Sequence, residues 1–133
     1  MRILITGGAG FVGSHLCEKY TKQGHTVFCF DNLMSGNLTN VGRLLDNRRF
    51  KLVKGHIQDF DLLERLTEDV DVILHLEPQV QVDKSCIEPT LTYEVNMMGT
   101  QNILEVARIN GAKKVIHALS NEVYGSARLW SNQ

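Results

Sequence analysis

Short runs of β-branched or aromatic residues alternate along this chain with longer stretches of helical periodicity, a pattern that predicts parallel strands joined by crossover helices. The strand runs are Ile3 to Ile5, Thr26 to Phe30, Phe50 to Val53, Val70 to Leu76 and Lys114 to Ala118. Between the first two, Phe11, Val12, Leu16 and Tyr20 recur at helical spacing and Gly24 stands where a cap would stop a helix, so a crossover helix is expected from about Phe11 to Gln23. Asp59 opens an acidic and then apolar stretch through Glu64, as an N-capped helix does. Pro89 opens the longest helical pattern, which runs to about Asn110 and stops at Gly111. Leu91, Val95, Met98, Ile103, Leu104 and Ala107 form its apolar surface, and they wrap around more than one helical face, so some of that surface is expected to stay uncovered. There is no repeat, low-complexity tract or interdomain linker. The pattern ends after Gly125, which predicts one domain over 1–125 and a short tail over 126–133.

A chain of 133 residues is long enough for one core that folds without disulfide staples. The net charge of −1 supplies no positive field for nucleic acid or an anionic membrane, and Arg48-Arg49 and Lys113-Lys114 read as solvated surface. Cys17, Cys29 and Cys86 lack the spacing of a zinc site or a disulfide framework and read as reduced thiols of a cytoplasmic protein. No apolar run is long enough to span a membrane, and neither a signal peptide nor a metal site is expected.

The chemistry is concentrated after the first strand. Gly7-Gly8-Ala9-Gly10-Phe11-Val12-Gly13 satisfies G-x-G-x-x-G through Gly8, Gly10 and Gly13. Between a strand and a helix, glycines let the backbone approach a pyrophosphate while helix N–H groups face the anion. A glycine-rich turn with no ligand is the competing reading. Asp31, at the end of the second strand, lies 18 residues after Gly13. A carboxylate there accepts hydrogen bonds from an adenosine ribose and repels a 2′-phosphate, which favours NAD over NADP. The fold expected is therefore α/β, a Rossmann-type doubly wound parallel sheet of about five strands with helices on both faces.

The opening Thr6-Gly7-Gly8-Ala9-Gly10-Phe11-Val12-Gly13-Ser14-His15-Leu16 is joined by Asp31-Asn32-Leu33 with Ser35-Gly36, by His75-Leu76, by Val95-Asn96 with Gly99-Thr100, and by Ser120 ahead of Glu122-Val123-Tyr124-Gly125. In this combination the chain resembles the N-terminal part of the extended short-chain dehydrogenase/reductase family, in particular NAD-dependent nucleotide-sugar 4-epimerases and 4,6-dehydratases. The resemblance implies a cofactor site drawn from Gly7, Gly10, Phe11, Val12, Gly13, Asp31, Asn32, Ser35, Gly36, His56, Ile57, Leu76, Glu77, Pro78 and Asn96. Asn32 and Ser35-Gly36 would lie beside the adenosine ribose, and Asn96 on the long helix near the cofactor. Ser120 would bond the sugar oxygen during hydride transfer, as the one catalytic residue present. The bland rivals are an Asn96 that bridges helix and sheet and a Ser120 that is a strand-end turn residue. His75 and Tyr124 read as packing residues.

The family's Tyr-x-x-x-Lys pair is absent, because none of Tyr20, Tyr93 and Tyr124 has a lysine four residues on. The resemblance implies that the family's sugar-binding domain is not expected within these residues either. The chain departs from the family pattern at three places. His56 stands where an acidic residue usually meets the adenine amino group, Glu77-Pro78 replaces two small residues, and Leu119 and Asn121 flank Ser120. The reading is an NAD-binding N-terminal domain of a nucleotide-sugar epimerase or dehydratase, expected to be inactive alone, with a weakened hold on NAD. Its partners would be NAD, a nucleotide-sugar in the complete enzyme, and a second copy in a homodimer. A tail with Leu129 and Trp130 folded over the exposed apolar surface is the monomeric alternative. A non-catalytic dinucleotide-binding or oligomerisation module is the alternative function.

Overall fold

Alternation along each strand sends side chains to opposite faces, and the computed structural model has a separate core on each face of one parallel sheet. It describes residues 1–76 and 85–120, with the backbone alone of 82–84. Strand β1 (Arg2–Thr6) leads to helix α1 (Phe11–Lys22), and β2 (Thr26–Asp31) to a short helix α2 (Leu38–Val41) extended by a 3-10 turn (Gly42–Leu44). Strand β3 (Phe50–Lys54), helix α3 (Phe60–Thr67) and strand β4 (Val72–His75) follow. Helices α4 (Val82–Ile87) and α5 (Pro89–Tyr93), a π-helical segment (Glu94–Met98) and α6 (Gly99–Ile109) precede strand β5 (Lys114–His117).

The sheet order β3-β2-β1-β4-β5 means that the chain winds one way from β1 through β3 and then crosses back to β4. Ile3 and Ile5 of β1, Val27 and Cys29 of β2 and Leu74 of β4 join Cys17 of α1 on one face. Leu4, Phe28, Phe30 and Ile73 join Leu63 of α3 and Ile103, Val106 and Ala107 of α6 on the other. This is the doubly wound Rossmann-type arrangement, with helices on both faces.

Local chemistry sets the helix ends. Gly24 has φ +85°, and Gly111 has φ +69°, the left-handed conformation that terminates a helix. The Asp59 carboxylate accepts from Leu62 N–H at 3.0 Å and caps α3. The C-terminus of α6 is tied to α3 by Asn110 Nδ2, which donates to Glu64 O at 2.7 Å and lies 2.8 Å from Thr67 Oγ1.

The structure differs from the sequence expectations in three respects. The fourth strand begins at Val72, with the buried Val70 in the turn before it. The helix after Pro89 is not a single α-helix, because the π segment widens its middle. Val106, outside the expected apolar set, is buried, while Leu104 and Met98 are exposed as part of the surface expected to stay uncovered. No helix among the described residues is long and apolar enough to cross a membrane, and no group of His, Cys, Asp or Glu among them could hold a metal ion. The tail at 126–133 lies outside the described residues.

Candidate functional site

Thr6 ends β1, and the chain turns at Gly7, whose φ of +66° is disfavoured for a residue with a side chain. Gly7 O accepts from Gly10 N–H at 3.1 Å, and Gly10 O from Ser14 N–H at 3.0 Å, which carries the loop into α1. Gly13 is packed against the start of the loop: a Cβ there would lie 2.1 Å from Gly7 O. No side chain caps the first turn of α1, and no acidic residue stands in it. The loop is thus a side-chain-free cradle with Phe11 and Val12 at its exposed mouth, a shape that fits a pyrophosphate.

Asp31 lies at the end of β2, only 4% exposed. Its Oδ2 accepts from Ala9 N–H at 2.9 Å and its Oδ1 from Leu33 N–H at 2.8 Å. The same loops are joined again at Ala9 O, which accepts from Asn37 N–H at 3.1 Å and from Asn40 Nδ2 at 2.8 Å. Leu33 is held at φ +62°, a strained conformation for a leucine. Gly36 fits against the Asp31 carboxylate, where a Cβ would come within 2.7 Å of Oδ1. Asn32 is committed to its own turn, accepting from Met34 N–H at 2.9 Å. A carboxylate offers about four acceptor positions, so the two backbone bonds leave Asp31 able to accept from ribose hydroxyls.

At the end of β3, Gly55 N–H donates to Asp31 O at 3.2 Å. The His56 side chain is exposed beside it, and Ile57 is buried with its carbonyl accepting from Asn102 Nδ2 at 3.0 Å. Gly99 packs on Ile57 so closely that a Cβ would lie 2.3 Å from its Cδ1. At the carboxyl ends of the paired strands β1 and β4, His75 is 2% exposed and Thr6 fully buried. Thr6 Oγ1 lies 2.7 Å from His75 Nδ1, and Thr100 Oγ1 lies 3.1 Å from His75 Nε2. The His117 ring packs 4.7 Å away, and burial, with a smaller contribution from His117, lowers the His75 pKa to about 4.

The structure therefore gathers Gly7, Gly10, Gly13, Asp31, Asn32 and Gly36 around two linked loops. Leu76 follows the buried His75, Asn96 is half-buried in the π segment, and Ser120 is exposed beyond the end of β5. Glu77, Pro78 and Tyr124 lie outside the described residues. Sequence reasoning missed Thr6 and Thr100 as partners of His75; the signal was a polar residue closing an apolar strand and a Gly-Thr pair on a helix.

A family described as GDP-mannose 4,6 dehydratase matches residues 4–132. The chain belongs to the NAD-dependent epimerase/dehydratase family, the extended short-chain dehydrogenases/reductases. Among the relatives, a UDP-glucose 4-epimerase of Mycolicibacterium smegmatis is 40% identical over 95% of this chain and 41% of its own length. A dTDP-D-glucose 4,6-dehydratase of Dictyostelium discoideum is 38% identical over 98% of this chain and 31% of its own. Among solved structures, a dTDP-glucose 4,6-dehydratase of Streptomyces venezuelae with NAD and TYD bound superposes with a TM-score of 0.90 at 36% identity, covering 98% of this chain and 43% of that one. A Thermotoga maritima UDP-glucose 4-epimerase with UDP-glucose gives a TM-score of 0.88 at 32% identity, over 99% and 42%. The chain thus spans well under half the length of these epimerases and dehydratases, and it is homologous to their N-terminal, NAD-binding region.

Proposed function

We propose that this chain binds NAD at the carboxyl ends of β1 and β2 and is the cofactor half of a nucleotide-sugar epimerase or dehydratase. The observation that carries the reading is the glycine cradle latched to Asp31 through Ala9 N–H. Gly7, Gly10, Phe11, Val12 and Gly13 would offer backbone to the pyrophosphate, and Asp31 with Asn32, Ser35 and Gly36 would receive the adenosine ribose. His56, Ile57 and Leu76 would border the adenine and the middle of the crevice. Asn96 and Ser120 would stand toward the sugar, with Ser120 donating to its oxygen. Bound NAD supplies an acceptor for hydride from a sugar carbon. The acid/base tyrosine and lysine of the family pattern are not in this sequence, so residues 1–133 alone should turn over no nucleotide-sugar. A cytoplasmic setting accords with the reading of Cys17, Cys29 and Cys86 as reduced thiols.

Calorimetric titration with NAD and NADP tests the reading. Saturable NAD binding tighter than NADP is expected, and absence of NAD binding by the folded chain would overturn it.

A further inference from the structure

Counting donors fixes the hydrogens around His75. Thr100 Oγ1 lies 2.6 Å from Asn96 O, which can only accept, so the threonine proton points there. His75 Nε2 approaches the same hydroxyl oxygen at 3.1 Å and must therefore donate to it. In a neutral imidazole Nδ1 then accepts, so Thr6 Oγ1, 2.7 Å away, donates to it. Leu76 N–H in turn donates to Thr6 Oγ1 at 3.2 Å. Donation runs in one direction, from Leu76 through Thr6, His75 and Thr100 to Asn96.

The chain of bonds occupies a particular place in the fold. Thr6 and His75 are register partners at the carboxyl ends of β1 and β4, the adjacent strands between which the winding reverses. Ligands of open α/β sheets bind above such a reversal. Buried as they are, Thr6 and His75 do not reach that crevice, but Gly7 and Leu76 adjoin them in sequence, and Asn96 O accepts from Thr100, the partner of His75 Nε2. Asn96 also sits in the π segment, and π turns inside helices are frequent at functional sites.

We infer that His75 is a positioning residue: as its Nε2–H tautomer it clamps β1 and β4 to Thr100 at the start of α6, and through Thr100 to the π segment, and so holds the dinucleotide crevice in its binding shape. The part of this inference that concerns dinucleotide affinity rests on the proposed function; the tautomer and the clamp do not. Burial and His117, which keep the imidazole neutral, are consistent with that tautomer.

The test uses the full chain and two variants, Thr100→Val, which removes the hydroxyl at constant shape, and Thr100→Ser, which keeps it. Nitrogen NMR of wild type should give His75 with a protonated Nε2 and an unprotonated Nδ1, retained in Thr100→Ser and shifted toward a tautomer mixture in Thr100→Val. Amide exchange across Glu94–Met98 should quicken about tenfold in Thr100→Val alone, the scale of one lost buried hydrogen bond. NAD affinity should fall about tenfold in Thr100→Val and stay within about twofold in Thr100→Ser. A wild-type Nδ1–H tautomer overturns the inference, and so does a folded Thr100→Val with unchanged exchange or unchanged affinity. If wild type binds no NAD, the proposed function fails while tautomer and exchange still decide the clamp. If Thr100→Val does not fold, the wild-type tautomer and the behaviour of Thr100→Ser decide it.

Discussion

Asp31 Oδ2 accepts from the backbone N–H of Ala9 at 2.9 Å, so the residue proposed to read the ribose also holds the phosphate loop in place. Asp31→Ala should therefore do two things at once. It leaves the buried Ala9 N–H, at a cost of about 1–3 kcal/mol, and the half-buried Leu33 N–H without their acceptor, and it removes the repulsion of a 2′-phosphate. Denaturant unfolding should register the first and calorimetry with NAD and NADP the second, as a narrowed preference. A variant that binds both cofactors as wild type does would remove Asp31 from the site.

Gly13→Ala places a methyl 2.1 Å from Gly7 O, against backbone that cannot swing aside. A loss of about 1–3 kcal/mol or more is expected, together with a large drop in NAD affinity. Gly42→Ala, where a Cβ meets nothing within 4 Å, is the matched control and should bind as wild type. Equal stability and affinity for the two variants would contradict the cradle.

The His75 imidazole is held at about 4 against an ordinary 6.5, so between those values the unfolded chain takes up a proton that the folded chain refuses. Stability should be intact above pH 6.5 and should fall as the pH drops through this window, by up to about 3 kcal/mol in all. Unfolding midpoints measured from pH 7 to 4, with His75→Gln as the reference that lacks this titration, isolate the contribution. Parallel pH profiles for the two proteins would count against it.

Tyr93, Met97 and Leu104 line an open groove beside His117, and β5 has an unpaired edge among the described residues. The chain is expected to self-associate over this face, since burying it stabilises by about 25 cal/mol per Å2 before the costs of association. Met97 and Leu104 are 61% and 52% exposed, so Met97→Glu with Leu104→Glu should leave the fold intact and abolish the dimer. Sedimentation across a concentration series decides, and a wild-type monomer throughout would refute the dimer.

The five strands were legible because each is a short β-branched or aromatic run bounded by breakers, and the glycine loop because its spacing follows the first strand directly. Helix α2 was missed because four residues, Leu38–Val41, carry too little periodicity to register; they are held by the Asn37 side chain, which accepts from Thr39 N–H, and by Asn40 bonding Ala9 O. The π segment escaped because periodicity arguments assume a constant turn. Asp31 was read only for its contacts with a cofactor, and its grip on Ala9 needs loops 22 residues apart to meet. The His75 clamp is less legible still, since it joins groups 69 and 25 residues distant through a particular tautomer.

A π turn carries one residue more than the α-helix it interrupts, and each residue rotates the screw by about 100°. The helix after Pro89 is consequently two screws out of phase: the stretch from Gly99 onward sets Ile103, Val106 and Ala107 into the sheet, while Tyr93 and Met97 before and within the π segment point elsewhere. Substitutions at Ile103, Val106 or Ala107 should register as lost folding energy, and those at Tyr93 or Met97 as altered self-association across the groove. Deleting one residue within Glu94–Met98 would bring the two halves into step and swing the earlier face away from its groove, leaving the sheet-packed half where it is.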